Sequence, residues 1–178
     1  MDIAALVKIT TRAWALDILA AFHEGVPGRQ AALLARVGAG RTAFAQSLTH
    51  LVDLGLIERN PGHGHPLRPE FRLTEQGRLI AVMASKVQAL PLAVPERQML
   101  RKAWSVPVLA VSGRPTYFSE IKAKLPPITD RALSQSLKHL NAQAWVSRVV
   151  DPEAYPLRPQ YVAIGVGAEV RAAVQEVL

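Results

Sequence analysis

Trp14, Ile18 and Phe22 recur at helical spacing, as do Leu6 and Val7 before them, so residues 3–24 are expected to form one long amphipathic helix. The stretch from Gly25 to Gly28, with Pro27 inside it, ends that helix. A short helix over 30–37 and a Gly38-Ala39-Gly40 turn lead into a helix over 41–54, whose Phe44, Leu48 and Leu51 share one face. Gly55 is a natural stop, because a residue without Cβ takes the left-handed backbone that closes a helix. Residues 56–59 and 70–73 read as short strands flanking a loop rich in Pro, Gly and His, and Thr74 with Glu75 and Gln76 opens a last helix to about residue 87. Three helices, two strands around a loop and a closing helix are the parts of a winged helix-turn-helix module.

The pattern then repeats. Shifted by 89 residues, Arg41–Arg59 aligns with Asp130–Arg148 at seven identities: Ala43, Gln46, Ser47, Leu48, His50, Leu51 and Arg59 meet Ala132, Gln135, Ser136, Leu137, His139, Leu140 and Arg148. Shifted by 90, Trp14 meets Trp104, Leu19 meets Leu109, Pro66-Leu67-Arg68-Pro69 meets Pro156-Leu157-Arg158-Pro159, Phe71 meets Tyr161 and Gly77 meets Gly167. A period near 90 has the size of a small domain and is too long for a solenoid repeat. The fold class expected is therefore mainly α with small β-wings, as two tandem winged helix-turn-helix domains over 1–90 and 91–178, with Leu90 to Pro95 as the boundary. In the second copy, helices are expected near 96–112, 117–124, 129–142 and 167–178, with strands near 145–150 and 160–164. Pro107 falls inside the first of these helices and should kink it. Thr129 can cap the third, where the first copy has only Gly40.

Composition narrows what such a chain can do. At 178 residues with 49% hydrophobic content there is enough apolar material for two small cores, while no apolar run reaches the roughly 18 to 20 residues of a membrane span. No secretory leader is visible, and a cytoplasmic location is expected. The absence of cysteine removes disulfides, thiolate zinc sites and thiol redox switching. The net charge of +7 suggests a polyanionic partner, and both halves share it, with 10 Lys and Arg against 7 Asp and Glu up to residue 89 and 11 against 7 beyond.

These residues resemble the winged-helix regulators of the MarR superfamily, and within it the HxlR-type branch. That branch shows a Trp-containing first helix, a recognition helix ending in Leu-x-x-Leu before a Gly-Leu turn, an Arg closing the first wing strand, and Tyr-x-Leu-Thr-x-x-Gly entering the last helix. The first copy carries Trp14, Leu48 to Leu51, Gly55-Leu56, Arg59, Phe71-Arg72-Leu73-Thr74 and Gly77; the second carries Trp104, Leu137 to Leu140, Trp145, Arg148, Tyr161 and Gly167. The resemblance implies DNA binding and transcription regulation. It departs in four respects: two domains stand in one chain where the family pairs single domains as homodimers, the sensing cysteine is missing, Ala144 replaces the turn glycine, and Ala163-Ile164 replaces Leu-Thr.

With leucines and Phe44 inward, the recognition helices are expected to turn Arg41, Thr42, Gln46 and Thr49, and Thr129, Arg131, Gln135 and Lys138, outward. Arg and Gln have the donor geometry to read guanine and adenine edges, and Thr, Ser and Lys can grip phosphate. Arg59 and Arg68 in the first wing and Arg148 and Arg158 in the second complete the set of DNA-binding candidates. The competing account of the helix faces is plain solvation, since every amphipathic helix has a polar side, and the Pro-Leu-Arg-Pro segments could serve only to shape the wings.

His63 and His65 lie one residue apart with no carboxylate or cysteine beside them, so no metal site is expected, and no cofactor either. His50 and His139 hold equivalent places and read as structural. Trp14 and Trp104 read as core anchors. Neither a phosphate-cradling glycine loop, a Gly-x-Ser-x-Gly elbow nor a His-Glu-x-x-His helix is present, and no enzyme is expected. The partner expected is double-stranded DNA, with a second copy of the chain and a small apolar effector between the domains as further candidates. The reading from another class is a tandem winged-helix adaptor that binds protein, of the chromosome-partitioning or complex-assembly type.

Overall fold

A computed structural model describes residues 1–65, 68–151, 155 and 157–178, and of these 62–65, 68 and 151 by backbone alone. The fold is mainly α with small antiparallel wings, and its elements are those of two winged helix-turn-helix domains in tandem. By contact the chain divides into two compact units, residues 12–90 in one and residues 1–11, 91–176 and 178 in the other.

In the unit of residues 12–90, α2 (Ala15–His23), α3 (Gln30–Val37) and α4 (Arg41–Asp53) are followed by the hairpin of β1 (Ile57–His65) and β2 (Arg68–Leu73) and by α5 (Glu75–Gln88). Leu16, Ile18 and Leu19 of α2 are buried, as are Leu33, Phe44, Leu48, Leu51 and, from α5, Ile80, Met83 and Val87. The helix expected over 3–24 is two helices. α1 (Ile3–Thr10) stops where the Thr11 hydroxyl donates to the Lys8 carbonyl at 2.7 Å, and the chain re-enters helix after a turn closed by Ala15 N–H to Arg12 C=O at 3.1 Å. Apolar spacing continues across the turn, which is why periodicity alone joins the two pieces. Gly55 takes φ +68, as a closing residue must.

Two close approaches fix the hairpin. A Cβ on Gly28 would overlap the Phe71 carbonyl oxygen, and one on Gly77 would overlap that of Leu56. Thr74 caps α5 by accepting from the Gly77 N–H at 3.0 Å, while its hydroxyl donates to the Gly55 carbonyl at 2.8 Å.

The other unit holds α1, α6 (Val94–Leu100), α7 (Ser105–Val111), β3 (Thr116–Tyr117), α8 (Phe118–Lys124), α9 (Asp130–Ala142), β4 (Val146–Asp151), β5 (Arg158–Ala163) and α10 (Gly165–Gln175). α1 belongs to the first copy by sequence, yet it packs on α7, with Leu6, Val7 and Ile9 buried. The helix expected over 96–112 is also broken, at 101–104, by a turn closed through Ser105 N–H to Lys102 C=O at 3.0 Å. Pro107 then stands in the first turn of α7, just after the interruption, where an N–H has no intrahelical partner to lose. β3 adds a strand that the hydrophobic pattern does not announce, giving the order β3-β5-β4. In the first copy the counterpart of β3 is a single bridge, Arg29 to Glu70.

The tryptophans are distributed differently from expectation. Trp14 and Trp104 are only half-buried and occupy the N-caps of α2 and α7, whereas Trp145 is 1% exposed in the core. The periodicity marks the helix on which a tryptophan lies, but its burial depends on which elements pack over that helix end.

Candidate nucleic-acid interface

α4 and α9 are thirteen residues each and occupy the recognition-helix place in their modules. Phe44, Ser47, Leu48 and Leu51 are buried on α4, as are Leu133, Leu137 and Leu140 on α9, a spacing of three and four residues that consumes one face of each helix. The opposite faces carry Arg41, Thr42, Gln46 and Thr49, and Arg131, Gln135 and Lys138, all exposed. Ala45 and Ser134 are exposed among them.

The two helix entrances differ. Thr129 is the N-cap of α9, accepting from the Ala132 N–H at 3.2 Å, so one face of its oxygen is already engaged. Asp130, the first residue of α9, pairs with Lys122 at 2.7 Å. α4 begins at Gly40 without a side-chain cap and with no acidic residue in its first turn, which leaves an open, positive helix end beside Arg41 and Thr42.

The wings preserve one register in both copies. Arg59 stands opposite Phe71 on the β1–β2 ladder and Arg148 opposite Tyr161 on the β4–β5 ladder, and both arginines are exposed. Arg158 is exposed at the start of β5. The Arg68 side chain, with those of His63 and His65, lies outside the described residues, as do Pro66, Leu67 and Pro156. Among the described residues, Arg41, Arg59, Arg131, Lys138, Arg148 and Arg158 have no carboxylate partner. Cations on the outward face and wing that no described carboxylate pairs are available to an anion.

Three residues near these faces escape sequence reading. Arg12 Nη1 donates to Gln46 Oε1 at 3.5 Å. Its counterpart one repeat later, Lys102, puts Nζ 3.1 Å from Nδ1 of His139. Both cations come from the turn before the half-buried tryptophan, and the turn became visible only when the predicted long helix proved to be two. Gln30, the first residue of α3, joins Thr49, Arg59 and Phe71 around a cavity of about 250 Å³ between α4 and the hairpin. Thr49 and Arg59, ten positions apart in sequence, thus border one space.

No group of His, Asp and Glu that could hold a metal ion occurs among the described residues. No helix among them is long and apolar enough to cross a membrane.

Buried recognition helices with polar outward faces, each followed by a hairpin with an exposed arginine, define a tandem winged helix-turn-helix protein. The HxlR-like helix-turn-helix family model matches twice, over residues 9–94 and 99–178, and the chain belongs to that family. An uncharacterized HTH-type transcriptional regulator of Mycobacterium tuberculosis (strain CDC 1551 / Oshkosh) is 38% identical over 78 residues, which is 43% of this chain and 48% of the relative. The chain therefore spans about half the length of that curated relative. A crystal structure described as a transcriptional regulator of the MarR family from Porphyromonas gingivalis W83 aligns at 22% identity with a TM-score of 0.43, over 51% of this chain and 87% of that one.

Proposed function

We propose that the chain is a DNA-binding transcription regulator that uses its two winged-helix domains as a pseudo-dimer. The observation that carries this reading is the recurrence, in both copies of an HxlR-like domain, of an exposed polar recognition face beside an exposed wing arginine. On each copy the helix reads base edges in the major groove while the wing grips phosphate. Arg131, Gln135 and Lys138 serve one half-site, and Arg41, Thr42, Gln46 and Thr49 the other, with Arg59, Arg68, Arg148 and Arg158 on the backbone. Because Arg41 is replaced by Asp130 and Thr42 by Arg131 in the second copy, the half-sites differ in sequence. Their centres lie about one helical turn, ~34 Å, apart.

The test is fluorescence anisotropy with mixed duplex DNA across a salt series, comparing the native chain with Arg131→Ala/Lys138→Ala. The expected result is a steep loss of affinity with salt and a weaker, shallower curve for the double variant. Failure to bind duplex at low salt would remove the proposal.

A further inference from the structure

The unit of residues 1–11, 91–176 and 178 contains an open cleft of about 500 Å³, the size of a small-molecule site. Its walls are the start of α1, the end of α7 and the loop after it, the last residue of α8, and α10 with the chain after it. Three cations border it: Arg114 from the loop, Lys124 from α8 and Arg171 from α10. Among the described residues none of the three has an ion-pair partner. Arg171 goes further, because its Nε is buried and donates to nothing. Its guanidinium lies flat against Gly113, in the space a Cβ there would occupy. A buried N–H of a permanent cation without an acceptor is an unmet demand, and a bound anion is the kind of group that meets it.

The remaining lining sets the character of the ligand. Asp2 is the one carboxylate side chain on the rim, and its Oδ1 accepts from the Ala5 N–H at 2.7 Å. The described side chains lining the cleft thus carry three cations and one carboxylate. Ile3, Ala110, Val111 and Leu178 supply apolar surface beside them. Gln175 is held at the edge by a bond from its Nε2 to the Ala110 carbonyl at 3.1 Å.

The duplication supplies an internal control. The N-caps Arg29 and Tyr117 and the buried Leu33 and Ile121 set α3 and α8 at a shift of 88, so Arg114 and Lys124 correspond to Val26 and Arg36, while at the shift of 90 Arg171 corresponds to Ala81; Arg36 is paired with Glu24. The first copy builds the same domain without a cation at the Arg114 or Arg171 positions and with the third neutralised by Glu24, so the winged-helix fold does not require the unpaired cluster.

We infer that the cleft between α1, α7 and α10 is a binding site for a small organic carboxylate with an apolar body, held by Arg171, Arg114 and Lys124. The acid group pairs with the guanidinium on Gly113, and the hydrocarbon part lies along Ile3 and Val111. This inference stands whether or not the helices α4 and α9 bind DNA.

Isothermal titration calorimetry of the full chain with 4-phenylbutanoate, its uncharged amide and inorganic phosphate tests it. The carboxylate should bind at least about tenfold more tightly than the amide, a difference only the charge can make. Arg171→Gln and the exposed Lys124→Gln should each weaken it by about fivefold or more, while Arg131→Ala leaves it unchanged. Gly113→Ala, which displaces the guanidinium, should weaken it as well. If Arg171→Gln does not fold by circular dichroism, Lys124→Gln decides alone. Absence of carboxylate binding at millimolar concentration, equal binding of the amide, or indifference to the substitutions would overturn the inference. So would phosphate binding as tightly as the carboxylate together with loss of duplex DNA affinity in Lys124→Gln, which would assign these cations to a nucleic-acid backbone.

Discussion

Lys122 Nζ stands 2.7 Å from Oδ1 of Asp130, tying the end of α8 to the first residue of the recognition helix α9. The first copy has no such tie, since Arg41 begins α4. Both partners are about half exposed or more, so the pair contributes at most about 1 kcal/mol to stability, and its main consequence is electrostatic. On the proposed reading, in which α9 enters the major groove, a carboxylate at its entrance repels the approaching phosphates.

Removing that charge by Asp130→Ala should therefore tighten duplex binding by a few-fold at low salt, an advantage that disappears as screening shortens the reach of the charge. Thermal unfolding should change by no more than about 1 kcal/mol. Anisotropy at two salt concentrations checks the first expectation and a denaturant curve the second; a loss of DNA affinity would contradict the electrostatic account.

Arg59 and Arg148 face the same side chain type across their ladders, Phe71 and Tyr161, and are exposed. If each neutralises one phosphate, Arg59→Ala and Arg148→Ala should each lower the slope of log affinity against log salt by about 0.9, additively in the double variant. A salt series on the three variants measures this. Unchanged slopes would leave the two arginines as solvated strand residues.

The glycines divide into two kinds. Gly77 and Gly167 lie against the Leu56 and Trp145 carbonyls, so Gly77→Ala or Gly167→Ala forces backbone apart and should cost about 1–3 kcal/mol. Gly40 has open space at its Cβ and an ordinary extended backbone at the N-cap of α4. Gly40→Ser should accordingly stabilise by about a few tenths of a kcal/mol, by supplying an acceptor to the first turn. Urea unfolding of the three variants separates the two kinds, and a stable Gly77→Ala would show that the close approach can relax.

A similar contrast exists at the entry to the last helix of each copy. Thr74 both accepts from Gly77 and donates to Gly55, whereas its counterpart Ile164 makes no side-chain cap and is 38% exposed. Thr74→Ala should cost about 1–2 kcal/mol, and Ile164→Thr should gain a fraction of that. Equal and opposite shifts are not expected, because α10 begins on Gly165 with a left-handed backbone that α5 lacks. Unfolding curves of both variants provide the check.

What the sequence determined by itself was everything that depends on near neighbours or on recurrence. The inward faces of α4 and α9 follow from Phe44, Leu48 and Leu51 and from Leu133, Leu137 and Leu140; the caps at Thr74 and Thr129 and the stop at Gly55 follow from residue chemistry; the second module follows from the first by alignment. The outward placement of Arg131, Gln135 and Lys138 was legible for the same reason, since a helix with one apolar stripe can turn its other side only one way.

Tertiary structure decided which surfaces meet. The packing of α1 on α7, the third strand β3, and the choice of Trp145 rather than Trp14 or Trp104 for the core all depend on partners tens of residues away, while the breaks at 11–14 and 101–104 are local turns that apolar spacing does not mark. The cationic cleft is the clearest case. Arg114, Lys124 and Arg171 are scattered among three segments with no common periodicity, and only packing of α10 against α7 brings them to one space. Local pattern fixes what a segment can bury, and contacts between distant segments fix where it buries it.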